Sequence, residues 1–342
     1  MKGVPPLDPA LGPTLGEALD YGQLGAELVR ALRGKRSQMA LSRRLGYKTN
    51  VVYLWEAQKG APTGVGFLRL AERVGVDVRQ ALEQFYREPP PWLREHEPVS
   101  VSGVAALLED LRGASTLVEL ARKLRVSRFA LARWLRGEAE PRLPDFLELI
   151  EVSSLRLLDF VALLVNPERI PSLAERWSGL QLARRAAYER PWSHAILRAL
   201  ELEQYRALPR HEEGWLARWL GLPLDEERDC LRLLENTGQI ERDESNKWRA
   251  RQVRTIDTRK DPEAARQLKA WWAKVGSDRF KANAEGVFSY NLFGVSKADY
   301  ARIEALQRAH FREIRNIVAD SQPVETVAVV NLQLFSLLAK GR

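Results

Sequence analysis

Between Leu28 and Trp55 the chain reads LVRALRGKRSQMALSRRLGYKTNVVYLW, and between Leu107 and Trp134 it reads LLEDLRGASTLVELARKLRVSRFALARW. The second stretch lies 79 residues after the first and superimposes on it without a gap. Leu28 meets Leu107, Leu32 meets Leu111, Gly34 meets Gly113, Leu41 meets Leu120, Leu45 meets Leu124, Val52 meets Leu131 and Trp55 meets Trp134. The register continues through Pro62 and Pro141 to Leu68 and Leu147. Agreement over about forty positions marks an internal repeat, which sets the size of the folding unit before any other feature is weighed.

Within each copy the apolar residues recur at helical spacing and turn residues interrupt them. The first copy predicts helices near Leu24–Arg33, Gln38–Leu45, Thr49–Ala57 and Gly66–Val74. The second predicts Val104–Arg112, Leu117–Leu124, Arg128–Leu135 and Leu143–Val152, with Thr116 and Ser127 as N-caps. A three-residue turn between the second and third helices is helix-turn-helix geometry. Charge follows the repeat. Seven basic residues and no acid lie between Leu28 and Trp55, and six basic residues and no acid between Ala121 and Gly137. The whole chain carries only +8, so the positive charge is concentrated in these copies, as a polyanion partner requires.

Ser37-Gln38, then Leu41-Ser42-Arg43-Arg44-Leu45-Gly46, Val52, Trp55-Glu56 and Pro62 resemble a Cro/repressor-type (XRE-like) helix-turn-helix. The second copy is similar through Leu120-Ala121-Arg122-Lys123-Leu124, Ser127, Trp134, Gly137 and Pro141. It departs from the pattern at Leu117, where the first copy has Gln38, and at Arg125, where the first has the turn glycine Gly46. A left-handed residue other than glycine costs roughly 1 kcal/mol, which a turn tolerates.

The resemblance implies that each third helix lies in the major groove, its first turn against base edges, with the preceding helix over the backbone. Val52 with Trp55, and Leu131 with Trp134, are expected to face the core. That turns Lys48, Thr49, Asn50 and Tyr53 outward in the first copy, and Ser127, Arg128, Phe129 and Arg133 in the second, as base-contacting candidates. Asparagine pairs bidentately with adenine and arginine with guanine, so Asn50 and Arg128 are the preferred readers. Arg43, Arg44, Arg122 and Lys123, on the helix before the turn, are expected at phosphates, which position a protein without reading sequence. For any one of these cations the competing reading is a solvated helix face.

After Pro167 and Pro171 the pattern changes. Helices near His194–Arg206, Glu212–Leu220 and Glu226–Leu234, a stop at Thr237-Gly238, and strands Gln239–Arg242 and Lys247–Arg251 joined through Glu244-Ser245-Asn246 resemble a winged helix. Its third helix opens on Asp225-Glu226-Glu227, which repels phosphate, and this favours a packing or dimerising role. The basic run Lys247, Arg249, Arg251 and Arg254 is the one feature that argues for DNA contact there. Beyond it, an apolar strand Gly286–Val295, a helix from Lys297 to about Ala319 and a strand Val324–Leu338 predict a small βαβ unit, with Ser296 and Asp299 as a capping pair. Trp271 and Trp272 fall on a helix before it. Asn331 and Gln333 interrupt the last strand on one face, where such residues either line a ligand pocket or face water.

At roughly 100–200 residues per domain, 342 residues make two to three folded units. The expected fold is mainly α: two tandem helix-turn-helix domains, a winged-helix-like segment and a small C-terminal α/β unit. The expected division is a flexible tail (1–20), the two helix-turn-helix domains (21–98 and 99–170), the winged-helix-like domain (171–258) and the α/β domain (259–342). This order, ending Asn331-Leu332-Gln333-Leu334-Phe335, is similar to a family of bacterial tandem helix-turn-helix proteins with an otherwise uncharacterised carboxyl-terminal domain. The longest aliphatic and aromatic run, Phe160–Val165, is far short of a membrane span, and Met1–Leu15 lacks the order of a signal peptide, so a cytoplasmic protein is expected.

One cysteine, Cys230, closes no intrachain disulfide, and four scattered histidines give no zinc spacing. There is no phosphate-binding glycine loop, nucleophile elbow or metal motif. His194, His211 and His310 read as surface or core residues, and no catalytic residue, cofactor or metal is expected. The sequence therefore points to a sequence-specific DNA-binding transcriptional regulator with double-stranded DNA as partner. A homodimer, and a small-molecule or protein effector at the C-terminal domain, stay open. The alternative is a protein-interaction scaffold built from degenerate helix-turn-helix units.

Overall fold

The computed structural model describes residues 19–86, 89–113, 115–251, 261–319 and 321–338. These residues are mainly helical and carry one small antiparallel sheet. The flexible tail expected over 1–20 lies almost wholly outside the described residues. Contacts gather the described chain into two compact units, one centred on Asp20–Trp177 and the other on Ser178–Val275.

The first unit contains both copies of the repeat. The first copy forms α1 (Tyr21–Arg33), α2 (Gln38–Arg44), α3 (Val51–Glu56), α4 (Gly64–Arg73) and α5 (Val78–Phe85). Each of these begins on a short polar side chain that accepts a hydrogen bond from a backbone N–H in the first turn: Asp20 from Gln23, Ser37 from Ala40, Asn50 from Tyr53, Thr63 from Gly66 and Asp77 from Gln80. Such caps satisfy donors that the helix itself leaves orphaned. After the short α6 (Trp92–Glu95), the second copy forms α7 (Val101–Arg112), α8 (Leu117–Lys123), α9 (Arg128–Leu135), α10 (Leu143–Ser154) and α11 (Leu157–Leu164). Thr116 and Ser127 cap α8 and α9 as expected, and Thr116 forms a reciprocal box with Glu119.

The backbone repeats along with the residues. Gly34 and Gly113 share φ values of 59° and 57°, Gly46 and Arg125 are both left-handed at 89° and 55°, and Gln58 and Gly137 at 56° and 70°. All three pairs are 79 residues apart. Gly34 and Gly113 also have ψ near −130°, a combination open in practice only to glycine. Leu28, Leu41, Val52 and Leu68 are buried, as are their counterparts Leu107, Leu120, Leu131 and Leu147. Trp55 and Trp134, expected in the core, are only half-buried. On α3 the inward positions are Val52 and Glu56, one full turn apart, and Trp55 sits at their edge against Tyr47, ring centroids 5.7 Å apart.

The two copies do not close separate cores. Helix α1 packs on α10 and α4 on α7, so each copy lays a helix against the other. Close approach is built in: a Cβ on Gly25 would lie 3.3 Å from Leu143, and one on Gly64 would lie 3.1 Å from the ring of Phe146. Phe146 in turn meets Phe160 edge-on at 6.0 Å, and Phe160 meets Phe85 at 5.8 Å.

Helix α12 (Pro171–Glu189) leads into the second unit, which contains α13 (Trp192–Ala199), α14 (Glu203–Arg206), α15 (Trp215–Leu220), α16 (Leu224–Asn236) and the hairpin β1 (Ile240–Arg242) and β2 (Trp248–Ala250). The first helix expected here is broken at Leu200–Leu202 into α13 and α14, and Gly238 is left-handed at the stop after α16. The core runs from Ile196 and Leu216 through Tyr205 and Cys230 to Ile240 and Trp248. Trp192 closes it, with Trp271 and Trp272 edge-on at 5.3 and 5.5 Å. Those tryptophans lie on α17 (Pro262–Lys281), and α18 (Lys297–Ala319) follows.

The βαβ unit expected at the carboxyl end is not formed. Its helix is α18, and Ser296 accepts from Asp299 N at 3.1 Å while donating to the Asp299 carboxylate at 2.8 Å. Both flanking segments are irregular. Val287, Tyr290, Leu292 and Leu338 are largely exposed, so the two segments do not supply each other with a partner. A strand needs a neighbour for its N–H and C=O groups. The start of the second segment instead turns Val324 and Val327 onto the helical core, and Val324 O accepts from Glu203 N at 2.8 Å. Asn331 and Gln333 are exposed.

Candidate nucleic-acid interface

Two exposed basic faces occupy equivalent places in the two copies. In the first, Arg43 and Arg44 stand exposed on the last turn of α2, Lys48 and Thr49 are exposed in the turn, and Tyr53 is 47% exposed on α3. In the second, Arg122 is exposed and Lys123 half-buried at the end of α8, while Arg128, Phe129 and Arg133 are exposed on α9. Phe129 is 69% exposed, and the Arg128 guanidinium stacks over its ring 4.9 Å from the centroid. Stacking of this kind orients a guanidinium without neutralising it.

Four expected readers precede their helix or serve as its cap. Helix α3 begins at Val51, so Lys48 and Thr49 precede it rather than occupying its first turn. Asn50 is half-buried and spends its Oδ1 locally, accepting from Tyr53 N at 3.3 Å and lying 3.3 Å from Ser42 Oγ. Bidentate reading of adenine needs that oxygen as an acceptor, so the structure makes Asn50 a cap first. Ser127 is exposed, but its hydroxyl accepts from Ala130 N at 3.1 Å.

The difference between the copies has a visible cause. Buried Ser42 takes the Val52 N–H at 3.1 Å and donates to Gln38 O at 2.9 Å, tying the start of α3 to α2. Its counterpart is Ala121, which has no hydroxyl. There α9 starts at Arg128, two positions earlier in the repeat, and is capped by Ser127.

Glu56 is the residue that reading the acid-free stretch missed. It lies one position beyond the end of that stretch, is buried, and receives Arg33 Nε at 2.5 Å and Gln38 Nε2 at 2.7 Å, with Arg30 at 3.8 Å. Charge-assisted contacts of this type hold a buried carboxylate. Arg30 and Arg33 therefore serve the fold, and the outward charge of the first face rests on Arg43, Arg44 and Lys48. In the second copy Leu135 replaces Glu56 and Leu117 replaces Gln38. One signal for Glu56 was present in the sequence: a single carboxylate closing a run of seven cations. At the far end of the second face, Arg136 pairs with Glu138 at 2.6 Å and holds that carboxyl below its ordinary range.

The second unit spends its charges internally. Glu227 is fully buried and accepts from Gly214 N at 3.0 Å and Ala217 N at 2.5 Å, so it caps α15 from α16. Arg190 bridges Glu226 at 3.1 Å and Asp229 at 2.7 Å. On the hairpin, Lys247 donates to Arg206 O and Leu208 O, Arg249 pairs with Asp243 and Arg251 with Glu241, while Arg254 lies outside the described residues. His194 is half-buried, and desolvation of its ring drives its pKa down to about 4. His211 meets Tyr205 Oη at 3.1 Å, and His310 is exposed. An open cavity of about 590 Å³ is lined by Gln181, Arg184, Arg185, Tyr188, Glu189 and Asp261. Among the described residues, no cluster of three or more His, Cys, Asp or Glu side chains could hold a metal ion, and no helix is long and apolar enough to cross a membrane.

Residues 173–337 match a family described as a domain of unknown function (DUF4423), and the match begins after both copies of the repeat. No curated protein and no solved structure matches the chain.

Proposed function

We propose that this chain is a cytoplasmic, sequence-specific DNA-binding regulator of transcription, with α2–α3 and α8–α9 acting as tandem helix-turn-helix units and α3 and α9 entering the major groove. The observation that carries this reading is the recurrence, 79 residues apart, of an exposed basic face built from the end of one helix and the outward side of the next. Arg43, Arg44, Arg122 and Lys123 then hold phosphates, and Lys48, Thr49, Tyr53, Arg128, Phe129 and Arg133 face base edges. Arginine suits guanine, and the ring of Phe129 suits a thymine methyl.

The order of α13–α16 followed by the hairpin suits a winged-helix-like module, but its ion pairs and the Glu227 cap support packing, dimerisation or effector sensing over groove reading. Binding to random and genomic duplexes across a salt series tests the proposal. Selection of a defined sequence, with affinity falling steeply as salt rises, is expected. Binding that is neither selective nor salt-sensitive, together with copurification of a protein partner, favours the scaffold instead.

A further inference from the structure

We infer that a single chain presents its two reading helices about an internal pseudo-two-fold axis, and that its ligand is a duplex with two inverted, non-identical half-sites about one helical turn apart, bound one chain per site. This rests on the DNA-reading proposal above and adds the geometry of its target.

The axis is visible where the copies meet. Thr63 and Arg142 form an antiparallel bridge, and they are counterparts in the repeat. Gly64 N donates to Pro141 O at 2.9 Å, and Leu143 N donates to Pro62 O at 2.8 Å. Gly64 and Leu143 are counterparts, as are Pro62 and Pro141, so each bond is the image of the other. An antiparallel pair centred on two counterparts, with the flanking hydrogen bonds exchanged between the copies, has a two-fold axis through its centre. Packing obeys the same exchange, since α1 on α10 maps onto α7 on α4. Such self-complementary contact is how two identical subunits meet in a symmetric dimer. Here one chain supplies both sides.

Both reading helices end close to this axis. Glu56 lies six positions before Pro62, and Leu135 six positions before Pro141. At no more than about 3.5 Å per residue, each helix end lies within roughly 20 Å of the bridge. The two ends are therefore compatible with the roughly 34–36 Å that separates half-sites in successive turns of one groove. A duplex whose half-sites are inverted has a two-fold of its own, and the two axes coincide when both helices engage.

The half-sites cannot be identical, because the reading residues are not. Lys48 corresponds to Ser127, Thr49 to Arg128, Asn50 to Phe129, Tyr53 to Ala132 and Leu54 to Arg133. One half faces a lysine and a tyrosine, the other two arginines and a phenylalanine.

The test uses the full chain. A motif is selected from random duplexes, and the selected site is then remade with one half reversed, with about half a helical turn added between the halves, or as either perfect palindrome. Native mass spectrometry counts chains per duplex. Expected are one chain per selected site and a loss on the order of 100-fold on reversal or insertion, because the second contact is no longer intramolecular. Arg128→Ala should relax preference in one half only, and Tyr53→Ala in the other. Two chains on a symmetric site, or indifference to reversal and insertion, overturns the inference while leaving sequence-specific binding intact. Absence of any selective binding overturns the reading beneath it, and the inference with it.

Discussion

Thr63 and Arg142, 79 residues apart, pair across an antiparallel bridge that joins the two copies of the repeat at equivalent positions. Because the pairing is between counterparts, strain introduced at this seam is felt by both copies at once. Gly64 is the sensitive position, since its Cα faces the ring of Phe146. Gly64→Val should destabilise the first unit by about 1–3 kcal/mol through overpacking. Urea unfolding followed by near-ultraviolet signals would show it, and an unchanged midpoint would mean that the seam accommodates bulk.

Asn50 separates capping from reading. Asn50→Ala removes the acceptor for Tyr53 N and should cost about 1 kcal/mol, whereas Asn50→Asp retains it. If Asn50 acts only as a cap, Asn50→Asp should keep stability and leave base preference unaltered. A specificity change in Asn50→Asp without loss of stability would return this residue to the set of readers.

Arg43 is exposed at the end of α2. Arg43→Ala should weaken binding to all duplexes alike and lower the slope of log affinity against log salt by about one. Fluorescence anisotropy at several salt concentrations gives both quantities, and a loss confined to one sequence would contradict a phosphate role.

Much of this arrangement is legible in the sequence because its causes are local. Apolar spacing at Leu28, Leu32, Leu41 and Leu45, together with caps such as Thr116 and Ser127, places the first four helices of each copy within a few residues of their observed ends, while α5 and α11 are not foreseen. Arg125 stood out as a non-glycine at a turn, and it is left-handed. What escaped depends on contacts distant along the chain. The stretches Gly286–Val295 and Val324–Leu338 are apolar enough for strands, but whether a strand forms is decided by what lies beside it. The repeat shows that two segments are alike and says nothing of where one sits relative to the other, so the Thr63–Arg142 pairing had no signature. Glu56 is marked in the sequence as the one carboxylate closing a run of cations, but its partners Arg30 and Arg33 come from another helix and are not named there.

Glu227 ties α16 to α15 through the Gly214 and Ala217 amides. Glu227→Ala leaves two buried N–H groups unsatisfied, at about 1–3 kcal/mol each. The second unit should lose much of its stability, and amide hydrogen exchange at Ala217 should accelerate. Glu227→Gln, which keeps one acceptor oxygen, should lose less.

His194 gives the second unit a pH dependence. Its folded pKa, near 4, lies below the ordinary value near 6.5, so between these limits the unfolded chain binds the extra proton. Stability from this group is full above about pH 6.5 and falls as the pH drops toward 4, by roughly 3 kcal/mol at most. Thermal melts of wild type and His194→Phe from pH 7.5 to 4.5 should diverge in that direction. Parallel curves would show that His194 is not held neutral.

The seam between the repeats also has a consequence for abundance. Subunits that pair by collision part company on dilution, whereas a contact within one polypeptide has no dissociation by mass action. A handful of molecules in a cell would hold the same arrangement of the two copies as a concentrated sample. Changes in expression level would alter how many copies exist and leave each one's architecture untouched.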